Sequence, residues 1–373
     1  MVASYSWHPG AGPVEPVWPL SKPLLADELL TSWIARVALA HGCCPTALIA
    51  SAWRGFRGRT GDLDRGVSAS RLAVLSKQSG VPYASLQSAT LAHVMPSIMR
   101  LPDRLPRGNW PWITVLGCRG NHHSGGLQCC PDCIAQYNSR YLIQWRLAWH
   151  TCCPVHGVLL VEQCGRCLAP LQPELLKVGA SFNDCHRCGA PLSDNTRSAF
   201  VEAALAFQRF VDEGIGRHPM YGTLPLDFRD WLTVARTMVS FAQAALRHHS
   251  VAAVRFFESL GIALETLHPV SLGLPLEYLA PAERAVLLSI VWVIMSAGPD
   301  RFIEVARRES LPASTLHIPL NGAPPVLLEL AAALQAPRHH LAGGVGCGHP
   351  SSPARTLRMW LRLKRKVRRR GIR

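Results

Sequence analysis

Cysteine residues with the spacing of metal ligands are concentrated in the middle of the chain. Pairs of ligands separated by two residues occur four times, and they group into two sets of four. A Cys-x-x-Cys turn places two sulfurs where a single ion can bind both. One set is Cys₃His and the other is Cys₄, so the sequence predicts two structural Zn²⁺ ions in closed tetrahedral sites. The predicted ligands are Cys130, Cys133, Cys153 and His156, then Cys164, Cys167, Cys185 and Cys188.

Other cysteines and histidines lie close to these sets but lack a partner at the right spacing. Cys118 with His122 and His123 could form a third ligand group, although a polar loop with a buried cysteine is the preferred interpretation. Chance spacing of buried cysteines, a redox dithiol and an iron–sulfur cluster are the alternatives to zinc. The remaining cysteines are interpreted as non-ligands: Cys43, Cys44, Cys129, Cys152 and Cys347.

The composition indicates a basic protein with a large core. Lys and Arg number 39 against 24 Asp and Glu, which gives a net charge of +15 and favours a polyanionic partner such as nucleic acid. The most apolar run, residues 285–297, is shorter than a membrane span and predicts a buried helix. The N-terminus does not resemble a signal peptide, so we expect a cytoplasmic, nucleoid-associated protein with reduced cysteines.

Apolar periodicity predicts a mainly α fold around the zinc-binding middle, which we expect to form small zinc-finger or zinc-ribbon elements with a few short strands. A helix is expected to run from about Leu25 to Ala40, ending before Gly42. The predicted divisions are an extended leader (1–23), an N-terminal helical region (24–117) with a linker at 101–117, a tandem zinc-finger region (118–198), a C-terminal helical region (199–336) and a disordered basic tail (337–373).

Three parts of the chain could contact DNA: the basic N-terminal region at residues 50–80, which includes the first helix of a predicted hairpin, the linker at 101–117 and the basic tail. Residues 71–79 and 83–91 predict two helices around a turn at Gly80, which is the pattern of a helix-turn-helix or of a plain helical hairpin. The last 19 residues contain no acidic residue and form either a solvated charge run or a non-specific DNA contact. The candidate residues are Arg54, Arg57, Arg59, Arg71, Lys77, Arg362, Lys364, Arg365, Lys366, Arg368, Arg369 and Arg370.

An aromatic residue recurs at every fourth position between the two halves of the first ligand set. The spacing predicts one stripe on a helix, and core packing is preferred over a surface for stacking bases. The stripe consists of Tyr137, Tyr141, Trp145 and Trp149.

Several motifs, in this order, resemble the TniQ family of transposition target-selection proteins, which includes TnsD. Residues 27–36 read DELLTSWIAR and are followed by His41-Gly42 and, after the Gly80 turn, by Thr90-Leu91. Trp145-Arg146 and the cysteine pairs complete the resemblance, which covers about residues 24–192. Residues 298–302 (GPDRF) loosely match a later family motif. In length and C-terminal organisation the chain is most similar to the TniQ of mercury-resistance-type transposons.

The resemblance implies a non-enzymatic accessory protein of DNA transposition. Such a protein helps to select the target DNA and recruits an AAA+ ATPase of the TniB or TnsC type, which in turn recruits the transposase. DNA contact is direct or through partners, a homodimer is compatible with the family, and no membrane is involved.

The residues themselves favour a binding protein over an enzyme. The chain contains no G-x-x-x-x-G-K-[ST] phosphate loop, no convincing acidic cluster for metal-assisted phosphoryl transfer and no deaminase signature. A zinc-containing helix-turn-helix transcription regulator is the alternative. A metalloenzyme or thiol oxidoreductase is a third reading, but two complete ligand sets leave no open metal position.

Removal of residues 355–373 is expected to weaken DNA binding and to flatten its salt dependence. Each phosphate contact that is lost should reduce the slope of log K against log salt by about one unit. Titration of a fluorescent duplex at several salt concentrations measures the slope. An unchanged slope after truncation would contradict a role for this segment in DNA binding.

Overall fold

The computed structural model describes residues 17–53, 62–100, 108–116, 127–136, 139–264, 273–318, 322–334 and 360. The mainly α fold predicted from the sequence is confirmed, and the only sheets in this part of the chain are two antiparallel pairs of very short strands. The helices are α1 (Leu30–Ala40), α2 (Pro45–Ala52), α3 (Ala69–Ser79), α4 (Tyr83–Ser88), α5 (Leu91–Ile98), α6 (Pro131–Ile134), α7 (Glu202–Gly214), α8 (Phe228–His248), α9 (Val251–Ser259), α10 (Pro281–Arg308) and α11 (Pro325–Leu334). The strands are β1 (Cys152–Cys153), β2 (Val158–Leu159), β3 (Met220–Tyr221) and β4 (Leu224–Pro225).

Helix α1 begins at Leu30, several residues later than predicted. Asp27 has a left-handed backbone (φ 55°), and Glu28 forms a β-bridge with Leu142. The chain therefore enters α1 from an extended segment that pairs with the middle of the protein. From Leu30 onwards the apolar face of α1 packs with α2, α3 and α4 around the fully buried Trp33.

The predicted helical hairpin is present, but its second helix is short. Helix α3 ends at Gly80, whose φ of 74° places it in the left-handed conformation of a helix C-cap. Helix α4 has only 6 residues and ends at Ser88, before the predicted Leu91. Leu86 is fully buried against the first helices, so the hairpin packs on α1 and α2.

The aromatic stripe does not lie on a helix. Residues 143–146 form a single 3₁₀ turn, and the backbone before and after that turn is extended or irregular. Tyr141 and Trp145 pack in the core around the cysteines, whereas Trp149 packs in the core of the C-terminal helices. The core interpretation is therefore correct although the helix is wrong. Tyr137 lies outside the described residues.

Residues 110–113 are not a linker in the sense predicted for 101–117. Trp110, Trp112 and Ile113 are buried in the same core as helices α7 to α11. The backbone here pairs with the middle of the chain, since Thr114 N–H donates to the Arg146 carbonyl (2.9 Å) and Ala148 N–H to that of Trp112 (2.7 Å). Proline and glycine in this stretch mark irregular backbone, but the tryptophans anchor it.

The C-terminal helices enclose the largest core. Helix α10 packs against α7, α8 and α11, with Leu287, Leu288 and Val291 fully buried. Within the described ranges α10 is the one single helix long and apolar enough to cross a bilayer, and α1 with α2 qualifies only as a pair bent by 101°. Half of the apolar window of α10 is buried inside the protein, as predicted for residues 285–297.

Helix α10 is broken at Gly298, where the chain comes into contact with the β3–β4 turn. Gly298 adopts φ 76° and ψ 174°, a conformation that side chains disfavour strongly. A Cβ added to Gly298 would lie 2.7 Å from the Cα of Gly222. The two glycines therefore allow a backbone-to-backbone contact that no larger residue could make.

Gly298→Ala is expected to lower the free energy of unfolding by about 2–4 kcal/mol, because it adds both backbone strain and a steric clash. Gly216→Ala is the matched control. Gly216 also has a positive φ of 77°, but its added Cβ would meet no atom within 4 Å. This control substitution should lower the free energy of unfolding by only about 1 kcal/mol. Denaturant unfolding of both variants tests the difference, and equal losses would contradict the close contact.

Candidate metal centres

The first cysteine set converges on one point between α6 and the β1–β2 hairpin. Cys130 precedes Pro131, the first residue of α6, and Cys133 lies within that helix. Cys153 ends β1, and His156 lies in the turn before β2. His156 Nδ1 is 3.4 Å from Cys130 Sγ, 3.3 Å from Cys133 Sγ and 3.5 Å from Cys153 Sγ. Four donors of the predicted set therefore surround one position.

The second set forms a matching arrangement from two loops. Cys164 Sγ lies 3.7 Å from Cys188 Sγ, and Cys167 Sγ lies 3.6 Å from Cys185 Sγ. In each set the four donor atoms all lie within 4.8 Å of one another. Both groups could therefore hold a metal ion.

The separations fit the size of a tetrahedral zinc site. Bonds of about 2.3 Å to sulfur and about 2.0–2.1 Å to nitrogen give tetrahedral edges of about 3.8 Å between sulfurs and about 3.6 Å between nitrogen and sulfur. The sulfur–sulfur distances of 3.6 and 3.7 Å and the nitrogen–sulfur distances of 3.3 to 3.5 Å fall within about 0.3 Å of these edges. Hydrogen bonds from Cys130 and Cys133 lower the pKa of the Cys153 thiol, and hydrogen bonds with Cys130 and Cys153 raise the pKa of Cys133.

Local backbone bonds explain how the loops of the second set present their sulfurs. Cys164 N–H donates to the Ala169 carbonyl and Leu168 N–H to the Cys164 carbonyl, both at 2.9 Å. Cys185 and Gly189 repeat this pattern with the same distances. Leu168 and Gly189 both have a left-handed φ, of 56° and 70°, so the two loops follow the same turn.

Side chains beyond the ligands hold both sites in shape. The Asn195 side chain accepts from Gly165 N–H (2.7 Å) and donates to the Gln163 carbonyl (2.8 Å), which clamps the Cys164 loop from both sides. The Gln136 amide nitrogen lies 3.3 Å from His156 Nε2. With a metal on Nδ1, Nε2 would carry the proton, and a 180° flip of that amide would present its oxygen as the acceptor.

The neighbouring cysteines lie outside both groups, as predicted. Cys129 is fully buried, and burial raises its thiol pKa. Cys152 is buried beside the Gln208 side chain. Cys43 and Cys44 are half-buried near the start of α2. Cys118, His122, His123 and Cys347 fall outside the described residues.

A buried ion network, missed by the sequence analysis, connects this region to the N-terminal helices. The Arg146 guanidinium is fully buried and donates to Asp62 (2.6 Å), to Asp64 (3.3 Å) and to the Thr114 carbonyl (2.9 Å). Asp64 also accepts from the N–H and hydroxyl of Thr31 in α1, at 2.9 and 2.7 Å. One arginine side chain thus ties three distant segments together.

A second network involves the motif at residues 27–36. Glu28 is buried and accepts from the Arg36 guanidinium at 2.7 and 3.0 Å and from Ser32 Oγ at 3.1 Å. Ser32 Oγ in turn accepts from Tyr141 N–H (3.0 Å). Glu28, Ser32 and Arg36 recur at every fourth position, and they hold the start of α1 against the chain that leads to the 3₁₀ turn.

A third contact reaches the same region from the C-terminal side. Arg284 of α10 is buried and donates to the carbonyl of Ala148 (2.7 Å) and to the Gln128 side chain. Gln128 also donates to the His150 carbonyl (2.9 Å). Burial lowers the pKa of Arg284 to about 10, which leaves it charged at neutral pH.

The candidate DNA-contacting residues are only partly described. Arg71 and Lys77 are exposed on α3, and the Arg71 guanidinium lies 5.7 Å from the Trp53 ring centroid. Arg54, Arg57 and Arg59 lie outside the described residues. The same is true of Arg362, Lys364, Arg365, Lys366, Arg368, Arg369 and Arg370.

Loss of one ligand should remove one metal ion and leave the other. We expect Cys164→Ser to reduce the metal content from two ions per chain to one and to unfold the Cys164 loop, because structural metal binding supplies folding free energy. Cys130→Ser should do the same at the first site. Native mass spectrometry counts the ions, and Cys129→Ser is the control that keeps both. A Cys164→Ser protein that retains two ions would contradict the ligand assignment.

Glu174 should make the protein less stable as the pH rises. Burial raises its pKa from 4.5 to about 7, with repulsion from Asp64 and Asp62 adding to the shift. The folded protein holds this proton more tightly than the unfolded chain, so the free energy of unfolding falls between about pH 4.5 and pH 7. Glu174→Gln removes this penalty and should stabilise the protein at pH 8 by about 1–2 kcal/mol.

Unfolding of the metal-loaded protein at pH 6 and at pH 8 measures this effect. Glu202→Gln, an exposed carboxylate in the first turn of α7, is the control and should show the same pH dependence as the original chain. Parallel pH profiles for Glu174→Gln and the original chain would contradict the assignment.

Comparison with known families agrees with this arrangement. The TniQ family model matches residues 19–160, which run from the segment before α1 through the first metal group to β2. No curated protein matches the chain. The TniQ domain is a non-catalytic accessory domain of transposition, and it fits a transposition-associated protein. The chain therefore carries a TniQ family domain over residues 19–160.

Proposed function

We propose that this protein is a non-enzymatic adaptor that helps to select target DNA in transposition and recruits an AAA+ ATPase of the TniB or TnsC type. The ATPase in turn recruits the transposase. The observation that carries the proposal is the TniQ match over residues 19–160. We propose no membrane association, a nucleoid-associated location in the cytoplasm and a dimer as one assembly compatible with this role.

The roles of the motif residues support an adaptor rather than an enzyme. Glu28, Ser32 and Arg36 bond to one another, and Arg146 is saturated by carboxylates and a carbonyl. Groups held in this way shape the fold and are not free to act on a substrate. The residues that produce the family resemblance would therefore serve to hold parts of the fold together.

The two metal groups are proposed to be structural zinc sites. Each set supplies four nitrogen or sulfur donors at tetrahedral separations, so no coordination position is left for a substrate or a reactive water. The ions would cross-link loops whose buried apolar side chains form only a small core. Elemental analysis of the purified protein identifies the metal, and two zinc ions per chain is the expected result.

Direct DNA contact is proposed for α3 and for the basic segment at residues 355–373. Arg71 and Lys77 are exposed on α3, and the last 19 residues carry much of the positive charge. The charge-reversal pair Arg71→Glu and Lys77→Glu tests α3, and thermal unfolding of the variant separates an effect on folding, since Arg71 also contacts the Trp53 ring.

The hairpin of α3 and α4 also permits a helix-turn-helix transcription regulator as a second candidate. The turn at Gly80 has the required geometry. However, in such regulators the second helix enters the major groove, and α4 has only 6 residues. Its length favours the adaptor over the regulator.

Pull-down of the zinc-loaded protein with the AAA+ ATPase encoded beside it tests the proposal, with and without duplex DNA and ATP. Association that depends on DNA and ATP is the result expected of an adaptor. The Arg71→Glu and Lys77→Glu variant should lose the DNA-dependent part of its association with the ATPase, whereas the Glu213→Gln variant should retain it. Absence of association, combined with tight sequence-specific DNA binding by the protein alone, would replace the adaptor with the regulator.

A further inference from the structure

A large open groove lies beside the helical hairpin. It has a volume of about 1060 Å³ and is lined by the segment before α1, by the turn and helices α4 and α5, by residues 143–150 and by the end of α7. About half of the lining residues are apolar, among them Leu25, Val81 and Ile215. Small hydroxyl residues such as Ser88 leave space between them. A groove of this size could hold a short helix or an extended peptide.

The charge of the groove is opposite to that of the whole protein. The chain carries a net charge of +15, yet no lysine or arginine occurs among the described residues that line the groove. Asp27 is exposed at one side, and the Asp212 side chain is 38% exposed at the end of α7. The two exposed carboxylates favour a cationic segment over a polyanion in this groove, and the guanidinium groups of Arg36 and Arg140 at its edge are engaged by the carbonyls of Pro23 and Ala26.

We propose that this groove docks a basic, amphipathic polypeptide segment of a partner protein, with its apolar side chains in the groove and its Lys or Arg near Asp27 and Asp212. The first 16 residues of this chain do not have the chemistry of the proposed segment, because they contain no lysine or arginine. The inference deepens the proposed function, on which it rests for the identity of the partner. The recruited ATPase is the protein expected to supply this segment.

The geometry of the two carboxylates allows their charge to be removed with little change in structure. Asp212 Oδ1 accepts from Trp149 Nε1 and contacts His150 Nε2, both at 2.9 Å, and an asparagine oxygen can keep these contacts. Asp27 has a φ of 55°, which asparagine also tolerates. The double variant Asp27→Asn and Asp212→Asn therefore tests charge rather than folding.

Two synthetic peptides serve as probes, so the test does not depend on the ATPase. Both have leucine at helical spacing, and their other positions are lysine in one and glutamate in the other. Affinity is measured by fluorescence anisotropy with the full chain at about 0.15 M salt, where distant charges are screened. Hydrogen exchange then shows whether binding protects the Tyr83–Ser88 helix.

The lysine peptide should bind at least about tenfold more tightly than the glutamate peptide and should protect α4. Removal of both carboxylate charges should weaken binding of the lysine peptide about fivefold, since exposed ion pairs contribute less than about 1 kcal/mol each. Two further variants should each weaken binding of the lysine peptide at least as much. Ser88→Trp fills the groove, and Ile215→Arg changes an exposed side chain. The matched control, Glu213→Gln with Asp300→Asn, removes the same charge outside the groove and should leave the affinity within about twofold.

Three results would overturn the inference. They are equal affinity for both peptides, protection outside the groove, and affinity for the lysine peptide that neither the double variant nor Ile215→Arg changes. A gain in peptide affinity on removal of residues 355–373 would assign the groove to this chain's own basic segment, which also contradicts a partner. Groove-dependent peptide binding with no ATPase association would retain the groove and reject the proposed function instead.

Discussion

The buried guanidinium of Arg146 fixes the arrangement of the TniQ domain. A charged group without water is stable only when its partners are fully engaged, and Arg146 has carboxylates from Asp62 and Asp64 and the carbonyl of Thr114. The central segment, residues 145–150, is thereby held against α1. Loss of this side chain would remove the counter-charge of the buried Asp64 carboxylate and of the partly buried Asp62 carboxylate, and breaking a buried ion pair typically costs about 3–5 kcal/mol.

The same central segment carries contacts in every other direction. Trp145 packs into the core around the cysteines, while Trp149 packs among the C-terminal helices. Arg284 binds the Ala148 carbonyl from the C-terminal side. This segment has little regular secondary structure, and its contacts with neighbouring elements hold it in place. The metal groups have the complementary task of fixing the cysteine-bearing loops on the small core that surrounds them.

The sequence was informative where the determinants are local. Ligands two residues apart predicted both metal groups, and Gly80 predicted the turn between α3 and α4. Sequence spacing failed where distant segments decide the structure. The four-residue period of the aromatic stripe fitted a helix, but bridges to residues 113 and 28 hold that stretch partly extended. The burial of Trp112 depends on Glu277, 165 residues away, which accepts from its backbone N–H (2.8 Å). No local pattern contains that information.

The distribution of charge indicates how one chain can serve two kinds of partner. Exposed cations lie on α3, whereas the groove beside α4 has no lysine or arginine among its described lining residues. The two helices belong to one hairpin that packs on α1 through Leu75 and Leu86. A phosphate backbone on α3 and a cationic peptide in the groove would therefore approach the same rigid element without competing for the same charges. The two partners carry opposite charges and would otherwise attract each other, so separate surfaces on this hairpin would let both bind the protein at once. An adaptor between DNA and a protein requires that separation of surfaces.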